Sequence, residues 1–82
     1  MRFTVTWHGA ALAELADIWM RAADRQAVTD ATLAIDRALA HDPETKGEEY
    51  YGDRLLVAVP LAVTYTVRRD DRIVEVLQVW HR

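Results

Sequence analysis

Three apolar runs fill most of the second half of the chain, and they constrain its fold more than any other feature. The runs are Leu55 to Val59, Leu61 to Val67 and Ile73 to Trp80, and all are rich in β-branched residues. Pro60 separates the first two runs, and a charged tetrapeptide at 69–72 separates the last two. Turn residues between short β-branched runs are typical of hairpins. The sequence therefore predicts three consecutive antiparallel strands.

The distribution of apolar residues indicates how these strands face the core. One face of the middle run carries Leu61, Val63, Tyr65 and Val67. Successive side chains of a strand point to opposite faces, so the middle run has a clear buried side. The run from Ile73 to Trp80 is apolar on both faces, and we expect it to be the central strand of the sheet.

The first half of the chain changes from a strand pattern to a helical one. Apolar and polar residues alternate from Arg2 to Trp7, with Phe3 and Val5 on the apolar side, which predicts a strand. From about Ala10 the apolar residues recur at helical spacing. The apolar face of this first helix consists of Leu12, Leu15, Ala16 and Trp19, and its polar face of Glu14, Asp17 and Arg21.

A second helix follows, with Asp24 as its expected N-cap. It should end near His41, because Pro43 disfavours helical geometry at Asp42, and the segment 42–52 is predicted to be a polar loop. The apolar face of this second helix consists of Ala27, Val28, Ala31, Ile35, Ala38 and Leu39.

These elements predict an α+β fold of order β-α-α-β-β-β, in which a helical hairpin packs on a mainly antiparallel four-stranded sheet. A single domain accounts for residues 1–82. We expect the hairpin to contact the sheet through Leu12, Leu15, Trp19, Val28 and Ile35.

Composition excludes several classes of protein. Hydrophobic residues make up 51% and charged residues 28%, which is typical of a globular domain and not of a disordered chain. The net charge is −3, which counts against a dedicated nucleic-acid binder. The absence of cysteine excludes disulfides and thiolate metal sites. With no export signal or apolar run of roughly 18 residues, we expect a cytoplasmic protein with no membrane association, metal or cofactor.

The order of elements resembles the RelE/ParE superfamily of type II toxins, and so do three stretches of sequence. Ala11 to Trp19 is similar to the family's first helix, and Arg54 to Val67 to its central hairpin. Ile73 to Val79, followed by His81-Arg82, is similar to its last strand and basic tail. The resemblance implies a bacterial growth-inhibiting toxin of the plasmid-stabilisation type, neutralised by a cognate antitoxin. The chain departs from the ribonuclease branch at Ala62, where that branch usually carries an arginine.

Candidate catalytic residues follow from what metal-independent RNA cleavage requires, namely a base, an acid and a cation beside the phosphate. His81 is the acid-base candidate, Arg82 and Arg54 are the candidate cations, and Glu49 or its neighbour Glu48 is the candidate base. The alternative interpretation is that His81 and Arg82 form a solvated chain end.

Other polar and aromatic residues have simpler interpretations. His8 should cap the turn before the first helix, and His41 should complement the end of the second. Tyr50-Tyr51 should pack or contact a partner and could instead stack on bases. Trp7 and Trp19 should lie in the core, and Trp80 should be partly exposed.

Three functions remain open. The favoured one is a toxin that binds its target, as the gyrase-directed ParE branch does. The second is a ribosome-associated or free endoribonuclease of the RelE branch. The third is a detoxified protein that only binds an antitoxin. All three imply an antitoxin partner, and the assembly would be a homo-oligomer or a toxin-antitoxin hetero-oligomer. The first function adds gyrase as a target, and the second adds the ribosome and mRNA.

Overall fold

Two helices and five strands make up the computed structural model, which describes residues 2–82. No helix in that range is both long and apolar enough to cross a membrane. In chain order the elements are β1 Thr4–Trp7, α1 Gly9–Arg21, α2 Arg25–Ala40, β2 Glu48–Tyr50, β3 Asp53–Ala58, β4 Leu61–Arg68 and β5 Ile73–His81.

The strands form one sheet in the order β1-β5-β4-β3-β2. β1 runs parallel to β5, and every other neighbouring pair is antiparallel. The predicted α+β class is therefore confirmed, but the sheet has five strands and not four. The additional strand, β2, lies inside the segment 42–52 that was predicted to be a loop. Its sequence, Glu-Glu-Tyr, has no apolar alternation, so the pattern could not indicate a strand.

β2 forms because the chain reverses tightly after it. Tyr51 and Gly52 connect β2 to β3, with φ angles of 50° and 88°. Two successive residues with positive φ make the kind of turn that matches the twist of a hairpin. Just before β2, Gly47 has a φ of 61°, and a Cβ there would lie 2.1 Å from the carbonyl oxygen of Leu55. Only glycine therefore fits where the chain enters this strand.

The central strand is β4, so the prediction that Ile73 to Trp80 would be central is wrong. In a four-stranded sheet both β4 and β5 would be interior, and the unexpected β2 moves the centre to β4. Five consecutive residues of β4, Leu61 to Tyr65, are buried. β5 has a neighbour on both sides only over its first half, because β1 pairs with Ile73 to Val76 alone.

Both helices pack on one face of this sheet and enclose the core. Val28 and Ile35 of α2 are buried as predicted, and Leu15 of α1 is half-buried against the core. Leu12 and Trp19 were also predicted to be buried, but 50% and 40% of their surfaces are exposed. The residues of α1 that face the sheet are Ala11, Leu15 and Ile18, and the C-cap residue Ala22 also packs against the core.

The error concerns the rotation of α1 about its axis. Apolar residues occupy most of the helix circumference, so a spacing of three and four residues fits two neighbouring faces equally well. The face with the smaller residues, beginning at Ala11, lies against β5, and the face with Leu12 and Trp19 turns outward.

The predicted helix boundaries are close to those observed. The Asp24 carboxylate accepts a hydrogen bond from the Ala27 N–H at 3.0 Å, which confirms Asp24 as the N-cap of α2. His41 follows the last residue of α2, and its N–H donates to the Ala38 carbonyl. His8 caps α1, its Nδ1 accepting from the Ala10 N–H at 3.4 Å.

Two side chains from the sheet hold the loop that follows α2. The Tyr65 hydroxyl lies 2.8 Å from the Pro43 carbonyl oxygen and 2.7 Å from that of Lys46. The Arg54 guanidinium donates to the carbonyls of Lys46 and Gly47 at 3.0 and 3.1 Å. Burial raises the pKa of Tyr65, and the neighbouring Arg54 partly opposes that rise.

A pair of alanine substitutions tests the rotation of α1. Ile35→Ala should lower the free energy of unfolding by about 2–5 kcal/mol, because Ile35 is fully buried and its loss leaves a cavity. Leu12→Ala should lower it by less than about 1 kcal/mol, because half of Leu12 is already exposed and alanine favours helix. Denaturant unfolding measures both, and equal losses would show that Leu12 lies in the core.

Removal of one hydroxyl tests the anchor of the loop. Tyr65→Phe should cost about 1–3 kcal/mol, because two carbonyls lose their shared donor. The pKa of Tyr65 is raised in the folded state, so the wild type loses stability as the pH rises past about 10, where the unfolded tyrosine ionises first. The difference between wild type and variant should therefore narrow between about pH 8 and pH 11. A constant difference would contradict this account.

Candidate functional site

An apolar groove runs along the outer side of the helical hairpin. We call it the helical groove, and its volume is about 400 Å³. It contains most of the large apolar side chains that the helices leave exposed, notably Met20 at 64% and Leu33 at 53%. Its lining residues are Leu12, Leu15, Ala16, Trp19 and Met20 of α1 and Val28, Thr29, Thr32 and Leu33 of α2.

Polar contacts fix the wall of the helical groove in place. The Arg25 guanidinium lies 4.8 Å from the centre of the Trp19 ring and donates to the carbonyls of Trp19 and Met20. The Trp19 Nε1–H donates to the Thr29 hydroxyl at 3.3 Å. Trp19 is therefore a positioned surface residue, although the sequence placed it in the core. Leu33 and Met20 are apolar but do not belong to the apolar faces predicted for the two helices. These apolar residues outside the predicted faces are the sequence signal from which the groove could have been predicted.

The face of the sheet that points away from the helices carries few charges. We call it the open face, and strand pairing assigns its members. They are Thr4 and Thr6, Glu48 and Tyr50, Asp53, Leu55 and Val57, Ala62, Thr64, Thr66 and Arg68, and Ile73, Glu75, Gln78 and Trp80. The charged members are three carboxylates and one guanidinium, and that guanidinium, of Arg68, lies 3.7 Å from Glu75. Within the described strands, this face therefore offers no unpaired cation to a phosphate.

Ala62 lies in the middle of the open face and is fully buried. Val57 of β3 and Trp80 of β5 stand directly opposite it on the neighbouring strands. Both side chains are much larger than that of alanine and flank it. The position where the ribonuclease branch usually carries arginine is therefore occupied here by an apolar row.

The four candidate catalytic residues lie in two separate regions. His81 lines a cleft of about 430 Å³ together with Glu14, Arg21 and Trp80. The main chain of its neighbour Arg82 is tied to Pro60, since the Arg82 N–H donates to the Pro60 carbonyl at 2.7 Å. Trp80 is half-buried, in agreement with the expectation of partial exposure.

Arg54 and Glu49 lie at the opposite side of the sheet. Glu49 pairs with Arg54, which pairs with Tyr65, whereas His81 pairs with Leu61. Three strand spacings and four residues along the strands therefore separate Glu49 from His81, roughly 19 Å in all. Arg54 holds the loop after α2, so its guanidinium is already occupied. The structure does not bring these four residues together, and their catalytic role stays a prediction.

The other aromatic residues singled out in the sequence contact neighbouring side chains. Tyr50 and Tyr51 contact each other edge to face with ring centres 4.8 Å apart, and Tyr51 is 93% exposed. The half-buried Trp7 packs against the core and donates through Nε1 to Asp36 at 2.8 Å. Among residues 2–82, no cluster of three histidine, cysteine or carboxylate side chains could hold a metal ion.

Comparison with solved structures shows what this arrangement is similar to. A chain of the toxin-antitoxin complex RelBE2 from Mycobacterium tuberculosis superposes with a TM-score of 0.79 at 16% identity, over 100% of this chain and 93% of that one. A chain of the chromosomal ParDE system from P. aeruginosa gives 0.73 at 16% identity, over 98% and 96%. A chain of the archaeal RelE-RelB complex from Pyrococcus horikoshii gives 0.69 at 18% identity, over 100% and 97%.

Sequence comparison adds nothing to this likeness. No protein-family model matches the chain, and no curated protein matches it in sequence. The three superpositions nevertheless extend over nearly the whole of each chain. The protein therefore has the fold of the RelE/ParE toxins.

Proposed function

We propose that this protein is the toxin of a type II toxin-antitoxin system. In this proposal a cognate antitoxin neutralises it, and it acts by binding its target, as the gyrase-directed ParE branch does. It does not cleave RNA. The choice of binding over RNA cleavage rests on the open face, which has no unpaired cation within the described strands. The helical groove supports the presence of an antitoxin partner.

The helical groove has the properties of a site for an amphipathic helix. Such a helix places apolar residues at intervals of three and four into a hydrophobic groove. α1 has 13 residues and is about 20 Å long, enough to seat three turns of a partner helix. Exposed apolar patches of this kind mark interaction sites on small soluble domains. The three similar structures are themselves toxin-antitoxin assemblies.

The open face supports binding over RNA cleavage. Cleavage would need a positioned cation against the phosphate and acid-base groups within hydrogen-bonding reach of the reacting atoms. Around Ala62 the described face presents valine, threonine, glutamine and tryptophan side chains. His81 lies on the opposite side of β5 from Trp80, toward α1, and does not face this surface.

A detoxified protein that only binds an antitoxin would share these features. Expression of the chain alone in a bacterial host separates the two possibilities. We expect growth to stop and purified protein to inhibit DNA supercoiling by gyrase. Normal growth at full expression, together with tight antitoxin binding, would favour the detoxified alternative.

One substitution in the helical groove tests antitoxin binding. Leu33→Glu should weaken binding of the protein encoded by the adjacent open reading frame by about 30-fold, because a buried leucine contact worth about 2 kcal/mol is lost and a charge is introduced. Ala34→Glu is the matched control, since Ala34 is exposed on α2 outside the groove. Calorimetry or surface plasmon resonance measures both, and equal affinities would exclude the helical groove as the site.

The absence of cleavage is tested directly on RNA. Purified protein should cleave mRNA weakly or not at all, with or without ribosomes, because loss of one positioned cation costs roughly 10²–10³-fold in comparable sites. Ala62→Arg restores the cation, and its melting temperature must be checked because Ala62 is buried. Robust cleavage by the wild type that persists in His81→Ala would contradict both the mechanism and the choice of residues.

A further inference from the structure

The turn between β2 and β3 carries an aromatic side chain where the backbone disfavours one. Tyr51 and Gly52 form this turn, with φ angles of 50° and 88°. Positive φ at both central residues of a two-residue hairpin turn strongly favours the pair Asn-Gly. Glycine is present in the second place, but the first place holds tyrosine, whose Cβ is crowded in the left-handed conformation. Asparagine would therefore form the same turn with less strain.

The fold gains little from the side chain of Tyr51. It is 93% exposed and contacts the ring of its neighbour Tyr50. Two other non-glycine residues have a positive φ, Asp42 and Arg72. Aspartate tolerates this conformation, and Arg72 uses it to hold β1, since its carbonyl accepts from the Thr4 N–H at 2.8 Å. A strained residue from which the fold gains little indicates a role outside the fold.

The surroundings of Tyr50 and Tyr51, which we call together the tyrosine tip, are acidic. Residues 48–53 contain three carboxylates and no lysine or arginine. The next guanidinium along the chain, that of Arg54, donates to loop carbonyls. This charge argues against a nucleic acid as the partner, because phosphates would be repelled. The two tyrosine rings also lie at 80° to each other, so successive bases could not stack on both.

The tyrosine tip continues into the apolar part of the open face. Tyr50, Leu55 and Val57 all belong to that face, and Val57 is 41% exposed. The strip from the turn to Val57 is about 13 Å long, which is four residues of a strand. No residue of β2 or β3 lines the helical groove. The tip and the strip are therefore separate from the proposed antitoxin site.

We propose that the tyrosine tip anchors the toxin on its target protein, in an apolar pocket with a basic rim. The inference rests on the proposed function and assigns the surface that performs it. Tyrosine is enriched among the residues that dominate binding energy at protein interfaces, and it offers a large contact area at a small cost in conformational entropy. A basic rim would complement the carboxylates of Glu48, Glu49 and Asp53. An enzyme that binds DNA, as gyrase does, needs such basic surface for the phosphates.

Replacement of Tyr51 separates function from stability. Tyr51→Asn should raise the melting temperature by roughly 2–6 °C, because Asn-Gly suits the turn. It should also raise the concentration of toxin that half-inhibits DNA supercoiling by purified gyrase about 30-fold, the loss expected for an anchor residue. Tyr51→Phe keeps the ring and should lose only about two- to fivefold, the worth of one hydrogen bond from the hydroxyl.

A charge reversal beside the tip tests the basic rim. Glu48→Lys should raise the half-inhibiting concentration about tenfold, because a cation then faces the cations of the target. Asp30→Lys is the matched control, since it makes the same change of charge on an exposed carboxylate of α2 and should stay within about twofold of wild type. Equal effects of the two substitutions would assign the loss to net charge and refute the rim.

Expression of each variant alone in a bacterial host, at equal soluble levels, tests the anchor whichever protein is the target. We expect Tyr51→Asn to permit growth, Asp30→Lys to arrest it, and both to bind the adjacent gene product like wild type. If Tyr51→Asn arrests growth as the wild type does, the anchor is wrong and the toxin proposal stands. If Tyr51→Asn also loses antitoxin binding, its effect comes from a disturbed fold and the anchor is refuted. A wild type that does not arrest growth, or that arrests it by cleaving RNA, would overturn both.

Discussion

Burial of a single sheet face is the constraint on which the rest of this structure depends. Two helices cover one side of five strands, and the core is the layer between them, centred on Ile35, Tyr65 and Val76. A domain of 82 residues buries only roughly 60–65% of the surface of its unfolded chain. The outer side of the hairpin, the open face and the far edge of β5 therefore stay accessible, and these are the surfaces on which function can be built.

The sequence predicted the helices and most strands better than it predicted how they pack against one another. Asp24 and the buried side of α2 follow from capping and from one narrow apolar stripe, which leaves a single orientation. α1 has apolar residues around most of its circumference, so only the packed structure shows that Ala11, and not Leu12, faces the sheet. Whether the candidate site residues come together depends on the order of the strands in the sheet. The sequence of β2 has no apolar alternation, so its place in that order could not be predicted.

α1 separates the helical groove from the cleft that His81 lines. The outer side of α1, with Leu12 and Trp19, lines the helical groove, and its opposite side, with Glu14 and Ile18, lines that cleft. One partner chain that occupied both would pass around this helix and would also meet Trp80, which belongs to the open face as well.

The parallel pairing of β1 with β5 has a consequence for synthesis of the chain. Thr4 pairs with Ile73, so β1 has no partner until β5 has been made. Contacts between such distant segments also slow folding, because a long loop must close before they form. Until then α1 and α2 have only part of a sheet to cover, and the nascent chain exposes apolar surface. A partner already present in the cell would therefore meet a completed sheet only after β5 has been made.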